Sequence, residues 1–323
     1  MIDMSNDRAN IAFVGEKPWH GLGHELQKGA DIETWKIAAG MNFDLVAKPA
    51  LYLDDDGEFG RVEGRNVLLR SDTRDALSIV SDRYNIVQPG EVLEFYRDLV
   101  GAAGFDLETA GVLAGGRRYW ALASIGEQAR IMGQDAISGY LMLGTSCDGS
   151  LATTAAFTSV RIVCQNTLNF AVQDIENNRR MSVKVPHNST FDPQAVKTEL
   201  GLAQRSWQSF VEEASKMATR KVSNKEAVEF LVRVLGDETK PVEEQEDAKT
   251  IKRVYELFTG DGMGSEMKSA AGTTWGLVNA VTEYYDHHRP TRTADSRLNR
   301  AWFGDGAAAK AKAWDAAVTL LAA

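Results

Sequence analysis

Cysteine is nearly absent from this chain. Only Cys147 and Cys164 are present, both in apolar or β-rich sequence. That scarcity excludes a disulfide framework and fits a reducing, cytoplasmic setting, with no bridge expected between the two. No run of about 18 apolar residues occurs, so no membrane-spanning helix is expected. The segment Met1 to Arg8 lacks a basic stretch followed by an apolar one and does not read as a secretory leader. There is no G-x-x-x-x-G-K-[ST] phosphate loop, no G-x-S-x-G elbow and no H-E-x-x-H helix. Gly111 to Gly116 lacks the spacing of a dinucleotide-binding turn. ATP hydrolysis, serine hydrolysis and nicotinamide chemistry are therefore without support, and no cofactor is expected.

A surplus of positive charge is also missing. The net charge of −9 speaks against electrostatic clamping of a polynucleotide by the whole surface, although a local basic groove is compatible with it. The acidity is concentrated in Asp237 to Asp247, which reads as a solvated loop running into a helix. No metal is expected. His20 and His24 have helical ligand spacing, but Gly21 and Gly23 argue against a helix there, and a loop anchored by a buried Trp19 is the plainer reading. The run Asp54-Asp55-Asp56-Gly57 does not match a twelve-residue calcium loop and reads as a solvent turn.

What is present is an α+β pattern. With 323 residues the chain suffices for one large or two ordinary domains. Phe43 to Leu53 and Arg61 to Arg70 read as strands around the Asp54–Gly57 turn, and Ala76 to Val80 as another. Pro89 opens a helix that runs to Val100. Leu107 to Leu113 and Arg117 to Ser124 flank a Gly-Gly turn, and Ile137 to Thr145 and Leu151 to Phe157 flank Cys147–Ser150. From Asp192 onward the pattern is helical: Asp192 to Ala218, then Ala227 to Leu235 behind a Ser223–Glu226 capping box, then stretches near 243–258, 272–287 and 307–321. The expected division is a β-rich α+β core of antiparallel hairpins packed with helices, residues 1–187, followed by a helical domain, residues 188–323.

The segment from Thr158 to Val172 carries the strongest functional signal. Its apolar residues recur at helical spacing, with Thr158 or Ser159 as N-cap, and so predict an amphipathic helix. On that helix Arg161, Gln165 and Asn169 align, with Asn166 beside them. Guanidinium and carboxamide groups in such a row suit phosphates and base edges; the plainer alternative is a polar side paired with adjacent strands or a second subunit. Arg117, Arg118 and Trp120 begin a strand after a glycine turn, where charge and ring could serve a nucleotide, or Trp120 could be core. Arg179, Arg180 and Lys184 form a small basic patch that could complete a cationic groove or simply be solvated.

Three segments carry a resemblance: Lys17-Pro-Trp-His-Gly-Leu-Gly23, Phe157 to Leu168, and Gly272 to Arg289. Together they resemble a bacterial, plasmid and phage family known as "phage/plasmid-like protein", a domain of unknown function. The likeness spans nearly the whole chain. Related proteins often carry His where Cys147 stands, before Asp148-Gly149-Ser150. The resemblance implies work in replication, recombination or host defence. The order of hairpins then helix is similar to the core of single-strand annealing proteins, which implies an oligomeric ring that holds single-stranded DNA.

The resulting expectation is a non-catalytic DNA-binding or annealing protein, acting on single-stranded DNA in phage or plasmid recombination or replication. It would be a homo-oligomer in the host cytoplasm, away from membranes. The alternatives are a mobile-element accessory module that binds another protein, and an uncharacterised enzyme built on Cys147, Asp148 or His287.

Overall fold

A computed structural model describes residues 10–15, 23–103, 105–161, 163, 166–169, 173–174, 179–180, 182–185, 203–237 and 239–322. The chain begins with β1 (Ile11–Val14), β2 (His24–Leu26) and α1 (Ile32–Ala38). A three-stranded antiparallel sheet follows, made of β3 (Leu45–Leu53), β4 (Phe59–Arg70) and β5 (Ala76–Ser81). After α2 (Pro89–Ala103), the long antiparallel strands β6 (Asp106–Leu113), β7 (Arg118–Ile131), β8 (Asp135–Ser146) and β9 (Thr153–Arg161) build the main sheet. Its order runs β10-β9-β8-β7-β6-β1-β2, with β10 at Asn166–Asn169. The short strands β11 (Gln173–Asp174) and β12 (Arg179–Arg180) pair with each other, and β13 (Ser182–Val185) pairs with β9. The fold is α+β, as the alternation of hairpin and helix signals implies.

The main sheet is buried on both faces. Tyr119, Ala121, Ala123, Leu141 and Leu143 point to one side, where they share an apolar cluster with Tyr96 of α2 and with Trp207. Trp120, Leu122 and Met142 alternate to the other side and meet Leu298, Ala301 and Trp302. Two glycines of β8 make room for this double cover. A Cβ at Gly139 would stand 3.1 Å from the Trp207 ring, and one at Gly144 would stand 2.6 Å from the Phe303 ring. The two glycines have opposite parity along the strand, so the helices approach from opposite sides.

The helix predicted over Thr158–Val172 is replaced, in its described residues 158–161 and 166–169, by two strands. Thr158 to Arg161 end β9, and Asn166↔Arg161, Thr167↔Val160, Leu168↔Ser159 and Asn169↔Thr158 pair as an antiparallel hairpin. The reason is burial on two faces. Every residue from Thr153 to Ser159 is buried, so the period-two signal of a strand is erased and apolar residues fall at helical spacing by coincidence.

The C-terminal part comprises α3 (Ala203–Thr219), α4 (Asn224–Leu235), α5 (Lys249–Glu256), α6 (Thr274–Glu283), α7 (Ala294–Phe303) and α8 (Asp305–Ala322). The Ser223–Glu226 capping box is present at the start of α4. Every residue of α6 is buried, which makes it the axis of this region. Single π-turns extend α5 (Leu257–Asp261) and α6 (Tyr284–His288). The expected boundary at 187/188 lies outside the described residues. On either side of it, sheet and helices contribute to one apolar cluster.

Candidate nucleic-acid interface

Arg161 is 2% exposed and its Nε donates to both oxygens of Asp135, at 2.8 and 2.9 Å. Its Nη2 donates to the Gly264 carbonyl at 3.1 Å and its Nη1 to that of Met263 at 3.3 Å. Asp135, wholly buried, also accepts from Ser269 Oγ at 2.8 Å and Trp275 Nε1 at 3.0 Å. The guanidinium is thus the centre of a latch between the sheet and the loop before α6. Asn166 is 1% exposed and donates through Nδ2 to the Asn279 carbonyl at 3.2 Å. Trp120 is fully buried and meets Trp302 edge-on, ring centres 4.6 Å apart. These three side chains are closed to a polymer in this fold. Among the described residues the central helix that was to line the groove is replaced by strands, and the Arg161 charge is neutralised inside. Gln165 lies outside the described residues, as do the side chains of Asn169, Arg179, Arg180 and Lys184; for the last four only the strand placement is described.

A second buried node joins β10 to the last helices. The Asp286 carboxylate accepts from Thr167 N at 2.7 Å and Thr167 Oγ1 at 2.9 Å, and pairs with Lys310 Nζ at 2.8 Å. Trp302 Nε1 donates to Thr167 Oγ1 at 3.1 Å. All of these groups are buried, and every named bond is internal. Such polar groups fix how strands and helices dock.

Arg117 and Arg118 end differently. They stand at the turn end of the main sheet, beside the β4–β5 turn and the Cys147–Ser150 turn. Cys147 N donates to the Arg117 carbonyl at 2.9 Å, which ties the Gly115–Arg117 turn to the Cys147–Ser150 turn. Arg117 is exposed; its Nε donates to the Leu77 carbonyl at 2.8 Å, which anchors the guanidinium while its tip faces outward. Arg118 is half-buried, lies 5.3 Å over the Phe303 ring, bonds Ser150 Oγ at 2.7 Å through Nη2 and Asn299 Oδ1 through Nη1. Exposed Arg74 crowns the β4–β5 turn with φ of 67°, a left-handed conformation that a non-glycine residue adopts only when its surroundings impose it. Next to it Arg70 is buried and paired with Asp72 at 2.8 Å, and lies over the Phe43 ring.

The electrostatics of this rim are mixed. Burial works against the Asp148 carboxylate, but hydrogen bonds from Ser150 and the nearby Arg118 charge outweigh it and leave its pKa below the ordinary value. Burial pushes the Cys147 thiol up, and also the phenols of Tyr84 and Tyr119. Cys147 is buried, with Sγ near the Gly116 carbonyl at 3.9 Å. A raised thiol pKa is the opposite of what a nucleophile needs. The hydrogen bonds of Asp148 stay within its own turn, whereas His287 sits on the π-turn after α6. Among the described residues no group of three or more His, Cys, Asp or Glu could hold a metal ion, and no helix is long and apolar enough to cross a membrane.

Sequence reasoning placed a hairpin at residues 43–70 but did not foresee its exposure. Leu51, Tyr52, Leu53, Phe59 and Val62 are 39–76% exposed. The available signal was the apolar run Ala50 to Leu53 directly before an acidic turn, without the alternation that a half-buried strand shows.

The fold and the rim define an α+β protein with a doubly covered, largely antiparallel sheet and an arginine-bearing turn end. The chain belongs to the family described as domain of unknown function DUF932, which matches residues 76–302. That span includes Arg117, Arg118 and the Cys147–Ser150 turn, and it begins after β3 and β4. No curated protein and no solved structure matches the chain significantly.

Proposed function

We propose that this protein binds single-stranded nucleic acid without catalysing a reaction on it, and that the contacts come from the turn-end rim. The observation that carries this reading is the pair Arg117 and Arg118, anchored by hydrogen bonds and presented beside Arg74 at one end of both sheets. Anchored guanidinium groups contact phosphates with little ordering of their own. Half-exposed Tyr84 lies beside them and offers a ring face that unstacked bases can use and a duplex cannot. The acidic remainder of the surface limits non-specific binding, so affinity is modest and strongly salt-dependent. Strand annealing in a phage or plasmid setting is the finer form of this proposal. It rests on the family resemblance, since the helix on which the annealing-protein likeness depended is a strand.

The test is a salt series with labelled single-stranded and duplex oligonucleotides. The expected result is single-strand-preferring binding whose logarithmic salt slope falls by about one when Arg117 is replaced by Ala. Absence of binding at low salt refutes the proposal. A second reading, a protein-interaction module, is favoured by the bare apolar arm of β3 and β4.

A further inference from the structure

We propose that the outer half of β3 pairs with the same strand of a second copy of this chain, antiparallel and about a twofold axis near Leu51. The proposal is independent of nucleic-acid binding and starts from the edge of the small sheet. The order is β3-β4-β5, and among the described residues no strand pairs with the outer side of β3. The opposite edge is tied down: Ser78 Oγ of β5 donates to the Cys147 carbonyl at 2.7 Å and Arg117 Nε to the Leu77 carbonyl.

The inner half of the β3 edge is guarded. At Leu45 the Gln88 amide acts as a one-residue mimic of a neighbouring strand, accepting from Leu45 N at 2.8 Å and donating to Leu45 O at 3.2 Å. Leu45 therefore turns its backbone groups outward, and alternation turns Ala47 and Pro49 the same way. Pro49 has no N–H to offer there, Lys48 beside it is exposed, and the register breaks between Pro49 and Leu51. The capping amide closes the edge at Leu45, and Pro49 can offer its carbonyl but no N–H, so the edge open to a partner runs from the Pro49 carbonyl outward. On that stretch Leu51, Tyr52 and Leu53 are 58, 54 and 62% exposed.

Side chains and charges fit a second copy. The cross-strand pairs Leu51↔Arg61 and Leu53↔Phe59 set Leu51, Leu53 and Phe59 on one side of the arm, with Phe59 76% exposed. Tyr52 and Val62 lie on the other side, and over both sides the arm bares on the order of 400–500 Å² of apolar side chain, of which edge pairing covers the part next to the seam. A stable interface takes roughly 800 Å² from each partner, so backbone rungs and the charged flanks must supply the rest and the dimer is a weak one. Antiparallel pairing centred on Leu51 sets Leu51 against its own copy and Leu53 against Pro49. It also sets Lys48 against Asp54, and symmetry makes that opposite-charge pair twice.

The experiment is analytical ultracentrifugation of the full chain from about 1 to about 100 µM. The expected result is a monomer–dimer equilibrium that Leu51→Lys with Leu53→Lys shifts at least tenfold towards monomer, with the melting temperature unchanged because both side chains are exposed. Lys48→Asp weakens the dimer severalfold and Lys48→Arg leaves it unchanged; Asp54 stays in place because its Oδ1 holds its own turn, accepting from Asp56 N and Glu58 N. A wild-type monomer at every concentration overturns the proposal, as does a dimer or larger assembly that survives the lysine pair. A Lys48→Asp variant that associates as tightly as wild type overturns the stated register. None of these outcomes bears on the salt series with oligonucleotides.

Discussion

Arg161 and Asp135 meet side-on inside the protein, Nε to both carboxylate oxygens, where β9 ends and β8 begins. Both are buried, and each also bonds the loop and helix that close over them. Removing one partner leaves the other charge stranded in a dry interior. Asp135→Asn is expected to destabilise the fold by about 3–5 kcal/mol in urea unfolding. Replacing both by apolar residues recovers only part of that loss, since Ser269 and Trp275 still lack their acceptor. A variant within about 0.5 kcal/mol of wild type would refute the latch.

Thr167 is the hub of the second node. Its hydroxyl donates to Asp286 and accepts from Trp302 and Lys310. Thr167→Val keeps the shape and deletes the hub. The expected loss is about 1–3 kcal/mol, the penalty for orphaned buried donors. Chemical denaturation checks it, with intact far-ultraviolet dichroism separating local loss from misfolding.

Cys147 should be inert in the folded state. Burial hides the sulfur and raises the thiol pKa, with the Tyr119 hydrogen bond opposing only in part. In a Cys164→Ser background at pH 8, iodoacetamide labelling is expected to be at least ten times slower in buffer than in denaturing urea. Equal rates would show the turn to be open.

Glu226 gives a pH signature. Its hydrogen bond with Arg220, then those from Ser223, lower its pKa from 4.5 to about 2. A carboxylate depressed in the folded state contributes stability above its ordinary pKa and loses it as pH falls through the folded value. The expected result is a lower urea midpoint for Glu226→Gln than for wild type at pH 7, with the gap closing between about pH 4.5 and about pH 2. A gap that persists at pH 2 would exclude the capping carboxylate as its source.

The α+β class, the β3–β4 hairpin, α2 and the Ser223 cap are local. Turn residues, proline at a first helical turn and a capping box each act within a few positions, so the amino-acid order alone determines them. It also sets Arg117 at the start of a strand after a glycine turn, and the structure leaves that arginine exposed. The short helix α7, with Leu298 and Trp302, has a weaker local signal and became recognisable only through its packing on Trp120.

The fate of Thr158 to Asn169 was decided at long range. β8 offers β9 a full antiparallel ladder, and Asp135 lies 26 residues before Arg161 in sequence. A strand covered on both faces shows no alternation, and whether an arginine faces solvent or an aspartate depends on which distant strand arrives beside it. The same holds for the arm: its composition marks a hairpin, but only the tertiary arrangement, in which no described element covers it, leaves Leu51, Leu53 and Phe59 bare.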